Sequence, residues 1–251
     1  MNMKPQSPLN TVPAEGRELS LKVKDLNAGY HGKPILQDVS LHLNPGEFVG
    51  LVGHNGSGKS TLLMGIAGLT WANATSIELW QQEISTTPPY VRARLGLGML
   101  LQRDGLFHNL SVRVNMELAR LSEPYPSFFP QDSELTGSFQ SIMQRREQRA
   151  GSLSGGERRL LSLAMILARR PTIILADEPT LGLSESLEVA VMEFLRRFAS
   201  PTNQAAMVVS HNLRRVESFC SRSYVIDRGK IVAEWHTGDQ KSLADLVRGR
   251  C

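Results

Sequence analysis

The sequence has little cysteine and no long apolar run. Its 251 residues include only two cysteines, Cys220 and Cys251, which give no disulfide framework and suit a reducing cytoplasm. The richest apolar stretch, residues 160–168, is too short to cross a bilayer and is followed at once by Arg169 and Arg170. We therefore expect neither a disulfide-stapled secreted protein nor a membrane-spanning one.

The sequence also lacks a secretory signal and a run of basic residues. Residues 1–16 contain no continuous apolar segment of the kind found in secretory signals, and their prolines and polar neighbours predict a disordered leader. The basic residues, which give a net charge of +4, are scattered rather than gathered in one run. We therefore expect no nucleic-acid partner.

What the sequence does have is a glycine-rich loop between a strand and a helix. Residues 48–52 are almost all apolar, as in a strand covered on both faces, and residues 59–67 predict a helix stopped by Gly68. Between them lies the pattern Gly-x4-Gly-Lys-[Ser/Thr], matched at eight positions, so a chance glycine-rich turn is a poor alternative. The predicted triphosphate-binding residues are Gly53, His54, Asn55, Gly56, Ser57, Gly58, Lys59, Ser60 and Thr61.

The chemistry of this loop follows from its residue types. Glycines allow backbone N–H groups to turn toward an anion, and the helix N-terminus adds its dipole. Lys59 can reach the β- and γ-phosphates, and Ser60 can ligate Mg²⁺. We therefore expect a nucleoside triphosphate, together with Mg²⁺, as the ligand.

A second site follows an apolar run at residues 172–176, which ends in Asp177 and Glu178. Acids at the carboxyl end of a parallel strand face the crevice where ligands bind. Asp177 is placed to hold the Mg²⁺ shell, and Glu178 is the candidate base that polarises the attacking water. Two acids capping an exposed strand end would be the alternative if the phosphate loop were absent.

Residues 153–159, Leu-Ser-Gly-Gly-Glu-Arg-Arg, resemble the signature of ATP-binding-cassette (ABC) proteins. Ser154 and the amides of Gly155 and Gly156 would open a helix and so form an anion site; a simple helix cap is the alternative. In that family the signature of one subunit closes on the γ-phosphate held by the other. The resemblance therefore implies a head-to-tail dimer, either homomeric or heteromeric.

Other landmarks agree with the family in type and order. Tyr30 matches the aromatic residue that stacks on adenine, although a lone tyrosine more often packs. Gln102 matches the glutamine that touches Mg²⁺ and the attacking water and signals to the membrane part of the transporter. His211, after the apolar residues 206–210, matches the switch histidine near the γ-phosphate. The resemblance, over residues 19–232, implies Lys59, Gln102, Glu178 and His211 as catalytic residues and Ser60, Gln102 and Asp177 as metal ligands.

One position departs from the family pattern. Six residues beyond Glu178 the family commonly has an aspartate, and this chain has Ser184. A serine can hydrogen-bond but cannot carry charge across a dimer interface. We expect this difference to affect the cross-talk between two sites rather than ATP binding.

Strands that alternate with helices predict an α/β fold, a P-loop nucleoside triphosphatase core with a mainly parallel sheet. Alternating residues at 19–23 and 39–43, with a turn at 32–34, predict an antiparallel β subdomain. The helical pattern over residues 112–149, interrupted by prolines at 124, 126 and 130, predicts a small helical subdomain spanning about 103–160. Predicted boundaries further along the chain are helices at 157–170 and 187–198, a hairpin turn at 228–229, one domain over 17–240 and a helix or tail over 241–251.

Three segments, residues 88–98, 107–112 and 180–184, look like the ATPase subunits of branched-chain amino-acid importers and their urea and amide relatives. The resemblance implies a motor subunit on the cytoplasmic face of the membrane, with permease subunits as partners and, in an importer, a substrate-binding protein. A lipid or lipopolysaccharide exporter ATPase is the nearest rival, which residues 156–159 also suit. A soluble cassette for ribosomes or DNA repair would usually carry two fused cassettes or a long coiled-coil insertion, and Glu178 and His211 argue against a non-hydrolytic regulator.

Overall fold

The computed structural model describes residues 20–119, 134–200 and 203–249. Its strands are β1 (Leu21–Tyr30), β2 (Lys33–Leu43), β3 (Phe48–Val52), β4 (Trp71–Asn73), β5 (Ser76–Leu79), β6 (Gln82–Glu83), β7 (Leu97–Leu100), β8 (Ile173–Asp177), β9 (Ala205–Val209), β10 (Arg222–Asp227) and β11 (Lys230–His236). Its α-helices are α1 (Lys59–Ala67), α2 (Pro89–Arg94), α3 (Val112–Ala119), α4 (Glu134–Gln144), α5 (Gly155–Leu167), α6 (Glu185–Ala199), α7 (Leu213–Phe219) and α8 (Leu243–Arg248).

The central sheet has six strands in the order β11-β10-β3-β9-β8-β7. Strands β10, β3, β9, β8 and β7 run parallel, and only β11 runs antiparallel to its neighbour. The prediction of a mainly parallel sheet is confirmed, as is the hairpin turn at residues 228–229 between β10 and β11. Since the parallel strands share one direction, the loops that follow them all lie along the same edge of the sheet.

Both faces of this sheet are covered. Along β3, Val49 and Leu51 pack toward α1 and the antiparallel strands, whereas Phe48 and Val52 pack toward α3 to α8. Every residue of β3, β8 and β9 is buried. This two-sided burial explains why these strands read as unbroken apolar runs and why residues 48–52 were predictable to the residue.

The antiparallel β subdomain is also present, with β2-β1-β5-β6 in order and β4 beside β1. The strands predicted at 19–23 and 39–43 are only the outer ends of β1 and β2, because register shifts along this pair interrupt the simple alternation. The turn predicted at 32–34 lies earlier, at His31 and Gly32. Pro34 already belongs to β2, which is an edge strand and therefore tolerates a missing N–H.

Two helices begin earlier than the sequence pattern indicated. Helix α5 begins at Gly155 rather than residue 157, because Ser154 Oγ accepts from the Glu157 amide while the Glu157 carboxylate accepts from the Ser154 amide. It ends at Leu167 rather than residue 170. Helix α6 begins at Glu185 because Ser184 Oγ accepts from the Leu187 amide. Ser184, which replaces the usual aspartate, therefore serves as a helix cap.

Three predictions concern residues whose structure is not described. The leader at 1–16 and the interruption around the prolines at 124, 126 and 130 lie outside the described residues, as does Cys251. Within the described ranges, α3 and α4 form the helical layer over α5, and α8 lies in the segment predicted as a helix or tail. Among these residues no helix has the length and apolar character needed to span a membrane.

Candidate functional site

The candidate site lies where three neighbouring parallel strands end. The glycine-rich loop follows β3 and His211 follows β9, while Asp177 is the last residue of β8 and Glu178 comes directly after it. Strands β3, β9 and β8 are adjacent in that order. A crevice at the carboxyl edge is where an open α/β sheet binds its ligand. Here the edge opens into a cleft of about 390 Å³, lined by Ile35, Asn55, Gly56, Gly58, Lys59, Ser60, Thr61, Gln102, Asp177, Glu178, Val209 and His211.

The loop between β3 and α1 has glycine at three positions with positive φ, and two of these positions also lack room for a side chain. Gly53 has φ 155° and Gly58 has φ 109°, and both are closely approached by other parts of the chain. A Cβ on Gly53 would lie 2.1 Å from the carbonyl oxygen of Ile226, and one on Gly58 would lie 2.6 Å from a Leu36 methyl. Gly56, by contrast, faces open space. The loop is thus a backbone-walled concavity that fits an anion, and its shape depends on the absence of side chains.

Lys59 supplies the positive charge of this concavity. Its side chain is folded back over the loop, where Nζ donates to the carbonyl oxygens of Gly53 at 2.7 Å and His54 at 2.8 Å. Burial lowers the pKa of Lys59, and the nearby charges of Asp177 and Glu178 oppose that effect. The ammonium group is therefore held inside the site by neutral acceptors, and its charge remains available to a phosphate group.

The oxygen atoms that could hold a cation lie beside this lysine. Asp177 is buried, Ser60 hydrogen-bonds to its carboxylate, and Gln102 lines the same cleft. Burial raises the pKa of Asp177, while Ser60 and Lys59 act in the opposite direction. Mg²⁺ is commonly held by one or two carboxylates together with substrate phosphates and water, which matches this set. In the described part of the chain there is no cluster of three or more acids, histidines or cysteines that would form a complete protein cage.

Glu178 is buried with an unsatisfied oxygen. Its backbone has φ 51°, a strained left-handed conformation held by the hydrogen bond from its amide to the Val209 carbonyl at 3.0 Å. Its carboxylate accepts from the His211 amide, and Oε1 lies 3.1 Å from His211 Nε2 at an angle that makes no hydrogen bond. Burial, helped by the charge of Asp177, raises the pKa of Glu178 to about 7. A carboxylate poised near neutral pH is suited to act as a general base.

The signature residues lie away from this cleft. Ser154, Gly155 and Gly156 are at the N-terminus of α5, and none of them lines the site. The capping box uses the amides of Ser154 and Glu157 rather than those of the two glycines. A Cβ on Gly155 would enter open space, so this end of the helix is accessible.

Four other predicted residues do not line the cleft either. Tyr30 ends β1, where its hydroxyl lies 3.7 Å from the Met64 sulfur, and its adenine role stays a prediction. Gly53, His54 and Ser57 belong to the phosphate loop but do not line the cleft. His54 Nε2 donates to the Val247 carbonyl at 3.2 Å, which joins the loop to α8.

Sequence reasoning missed two residues that line the cleft and one buried residue that contacts the backbone of a lining residue. Ile35 and Val209 line the cleft as ordinary apolar strand residues, and no sequence signal distinguishes them from core residues. Arg159 is nearly buried and donates to the carbonyl oxygens of Leu101 and Gln102. Its place within the 153–159 signature was the one available hint.

A parallel sheet with a glycine-rich phosphate loop after β3 and two buried acids after β8 defines a P-loop ATPase domain. The family profile described as ABC transporter matches residues 36–181. The chain belongs to the ABC transporter family, and it is an ATP-binding, ATP-hydrolysing subunit of that family.

Individual relatives agree with this assignment. A probable ABC transporter ATP-binding protein of Azorhizobium caulinodans is 35% identical over 231 residues, covering 92% of this chain and 80% of that protein. The lipopolysaccharide export system ATP-binding protein LptB of Escherichia coli is 33% identical, covering 85% and 89%. A probable branched-chain amino acid transport ATP-binding protein, LivF, of Archaeoglobus fulgidus is 31% identical, covering 84% and 89%. Exporter and importer relatives are thus similarly distant, and they do not decide the cargo.

Solved structures confirm the fold. The ATP-binding subunit of an ABC transporter matches with a TM-score of 0.73 at 24% identity, covering 92% of each chain. A dimeric ATP-binding cassette in a post-hydrolysis state, bound to ADP and phosphate, matches with a TM-score of 0.74 at 22% identity, covering 87% of this chain and 99% of that one.

Proposed function

We propose that this chain hydrolyses MgATP at a site shared between two ABC ATPase subunits arranged head to tail. The observation that carries this proposal is the separation of the two anion-binding elements. The phosphate loop and the acids share one cleft, whereas the open N-terminus of α5 at Gly155 lies elsewhere on the same chain. A second subunit can supply that helix end to the exposed side of a bound triphosphate. In this arrangement one chain alone contains only half of each site.

Within the cleft each residue has a separate role. The loop residues 53–61 bind the phosphates, Lys59 places its charge against the β- and γ-phosphates, and Tyr30 stacks on the adenine ring. Ser60, Gln102 and Asp177 would hold Mg²⁺, which supplies neutralisation of the phosphate oxygens when bound.

Glu178 acts as the general base of the reaction. It accepts a proton from a water molecule whose oxygen attacks the γ-phosphorus, the bond from that phosphorus to the bridging oxygen breaks, and ADP departs with the bond's electrons. The proton then leaves Glu178 for the solvent, which restores the carboxylate. His211, whose Nε2 lies 3.1 Å from Glu178 Oε1, lines the same cleft and is the switch histidine that would lie near the γ-phosphate.

The base is tested by Glu178→Gln. We expect this variant to keep ATP binding and to lose about 10²–10⁴-fold in turnover, because the attacking water then has no proton acceptor. Glu193→Gln, which removes an exposed-helix carboxylate paired with Arg196 and Arg197, is the matched control and should keep its turnover. Turnover close to that of the wild type in Glu178→Gln would remove Glu178 from this role.

The shared site is tested by two changes at Gly155 in the Glu178→Gln background. A side chain there meets open space, so Gly155→Ala and Gly155→Asp should both fold, and an acid in the first turn suits the helix dipole. With MgATP we expect light scattering to find a dimer for Gly155→Ala and a monomer for Gly155→Asp, because the added carboxylate repels the γ-phosphate. Equal dimerisation of the two variants would contradict the head-to-tail arrangement.

We further propose that the chain sits on the cytoplasmic face of the membrane and couples hydrolysis to transport through permease subunits. The segment after Gln102, which contacts the membrane subunits in the family, exposes Phe107 with 55% of its surface accessible and Leu110 with 38%. These two exposed apolar side chains are available for a contact with another protein. Phe107→Ser should abolish copurification with membrane subunits encoded beside the gene while leaving ATP binding intact. A protein that hydrolyses ATP but never copurifies with such subunits would refute the transport role.

For the cargo, we propose import of branched-chain amino acids or a related small amide or urea, delivered by a substrate-binding protein. The resemblance of residues 88–98, 107–112 and 180–184 supports this, as does the LivF relative. Export of a lipid or lipopolysaccharide is the second candidate, which the LptB relative favours. A gene neighbourhood with a periplasmic binding protein and two permeases, and loss of labelled leucine or amide uptake on deletion, would support import. Normal uptake together with a defective outer envelope would support export.

A further inference from the structure

Arg159 is a buried cation that the roles above leave unexplained. Only 5% of its surface is accessible, and it lies on α5, five residues after Ser154. Its two terminal nitrogens donate to two consecutive main-chain oxygens, those of Leu101 and Gln102, with the second at 2.5 Å. A planar guanidinium group can satisfy two such acceptors at once, which an ammonium group cannot do with the same fixed geometry. Arg159 therefore fixes the backbone immediately beside the Gln102 side chain.

The same helix holds the next residues of this segment. Arg158 Nε lies 3.0 Å from Asp104 Oδ2, and the Ser162 hydroxyl donates to the Asp104 carbonyl oxygen. Arg158 also donates to the Leu153 carbonyl at 2.7 Å, at the start of the signature. Residues 158 and 162 share one side of the helix, and 159 is adjacent to it. Helix α5 thus carries the signature at its N-terminus, and side chains on one side of the helix hold residues 101–104.

The positive charge of Arg159 also acts on Asp177 and Glu178, although Arg159 makes no ion pair with either of them. It favours the ionised forms of Asp177 and Glu178 and so opposes the burial that raises the pKa of each. Burial in turn lowers the pKa of Arg159, against the charges of Asp104, Asp177 and Glu178. Its hydrogen bonds nonetheless go to the Leu101 and Gln102 main chain, so its direct geometric effect falls on Gln102.

We propose that Arg159 is a positioning residue for ATP hydrolysis, which ties the backbone of Gln102 to the signature helix α5. This inference rests on the role proposed above for Gln102 at the metal and the attacking water. Because α5 would carry the signature to the partner's nucleotide, its placement also sets the placement of Gln102 in its own cleft. The position of one site's glutamine thereby depends on the helix that completes the other site.

The test is a double-mutant cycle of Arg159→Lys and Gln102→Ala in the full chain, read as kcat, KM for ATP and the Mg²⁺ concentration for half-maximal turnover. Arg159→Lys keeps the buried charge but cannot hold both carbonyls in one fixed plane. We expect kcat to fall about tenfold to a hundredfold and the Mg²⁺ requirement to rise, with KM for ATP little changed, since small misplacements near the reacting atoms are that costly. In the Gln102→Ala background the same change should cost less than about twofold, because coupled residues are not additive.

A purely structural role would give a different pattern. If Arg159→Lys lowered kcat by the same factor with and without Gln102, or left kcat and the Mg²⁺ requirement unchanged, the positioning role would be overturned. If instead Gln102→Ala itself had no effect on either quantity, the proposed function of Gln102 would fail, which is a separate result.

Two further variants keep this test decisive. Arg169→Lys lies just beyond the same helix and contacts the Ala119 carbonyl at 3.4 Å, so it should leave the kinetics unchanged. Should Arg159→Lys fail to fold by thermal unfolding, Arg159→Gln, which retains a neutral amide donor, replaces it in the cycle with the same expected signs. Loss of folding in both variants would assign Arg159 to stability and overturn the positioning role.

Discussion

Charged groups are buried at both ends of the central sheet, but the hydrogen bonding of these groups differs between the two ends. At the amino end, Arg222 lies beside the start of β3 and donates to both carboxylate oxygens of Glu47, each at 2.8 Å, and to Glu234 at 2.8 Å. Its guanidinium also lies 4.8 Å from the Tyr224 ring centre. At the carboxyl end, Lys59 donates to neutral carbonyls and Glu178 Oε1 has no hydrogen-bond partner. One cluster is satisfied within the chain and the other is left for a ligand.

The pKa values follow this difference. Burial alone would raise the pKa of Glu47, but hydrogen bonds from Arg222 and the Asn44 amide outweigh it and hold the pKa below its usual value. Burial dominates at Glu178, whose pKa rises to about 7, and at Lys59, whose pKa falls. A buried charge without its partner costs stability, and such sites are typically functional. The comparison teaches that burial alone does not distinguish a structural ion pair from a catalytic group, whereas the state of its hydrogen bonds does.

The largest effect should come from breaking the satisfied cluster. Arg222→Met leaves Glu47 and Glu234 without their shared cation, and we expect it to lower the free energy of unfolding by about 3–5 kcal/mol. Chemical denaturation followed by circular dichroism measures this. ATP turnover per folded molecule should stay unchanged, since Arg222 lies at the opposite end of the sheet.

The second-largest expected change is a gain in the free energy of unfolding, and its size depends on pH. Because the folded pKa of Glu178 is raised from 4.5 to about 7, its contribution to stability is full below pH 4.5 and is lost as the pH rises through 7. Glu178→Gln should therefore stabilise the nucleotide-free, EDTA-treated protein by up to about 3 kcal/mol at pH 8. The gain should shrink toward zero near pH 4.5. A constant difference across this range would contradict the raised pKa.

Glu47→Gln should change the free energy of unfolding with the reverse pH dependence and by a smaller amount. The lowered folded pKa of Glu47 gives stability that is present above pH 4.5 and lost as the pH falls through the folded value. We expect the substitution to cost about 1–3 kcal/mol at pH 7, because a charged hydrogen-bonded acceptor is replaced. The difference in denaturation midpoint between Glu47→Gln and the wild type should narrow as the pH is lowered from 7 to below 4.5; a penalty that does not change with pH would mean that the pair contributes by packing instead of charge.

The smallest stability change is expected for Lys59→Ala, whose effect should fall on the ligand. Removing the ammonium group relieves a buried cation, but it takes away the charge that meets the phosphates. Nucleotide affinity should fall about tenfold or more, equivalent to about 1.4 kcal/mol. Titration calorimetry with ATP measures it, and unchanged affinity would count against the phosphate loop.

Local chemistry was readable from the sequence and long-range pairing was not. Strand β3 and helix α1 were predicted with their observed bounds, because glycine and lysine types in the intervening loop specify both ends. The start of α5 was predicted only in part: Ser154 and the glycine amides were expected to open a helix, but the helix bounds were placed at 157–170, although Ser154 and Glu157 form a capping box and α5 begins at Gly155.

The contacts at the two ends of the sheet join residues that are far apart in the chain, so no local sequence pattern indicates them. Arg222 meets Glu47 across 175 residues, and Arg159 meets Gln102 across 57. Charged side chains of this kind read as exposed residues until the topology brings their partners together. The resemblance to a known family placed Gln102 and His211, whereas the sequence offered for Arg159 only its position in the signature, and its contacts were found from the folded structure.

The measurement that tests this account most directly is ATP turnover per folded molecule in Glu178→Gln and Arg222→Met, compared with the wild type under one set of conditions. We expect Glu178→Gln to lose about 10²–10⁴-fold in turnover and to gain stability. We expect Arg222→Met to lose stability and to keep its turnover. Near-wild-type turnover in Glu178→Gln, or an equal loss in folded Arg222→Met, would contradict the division of roles between the two ends of the sheet.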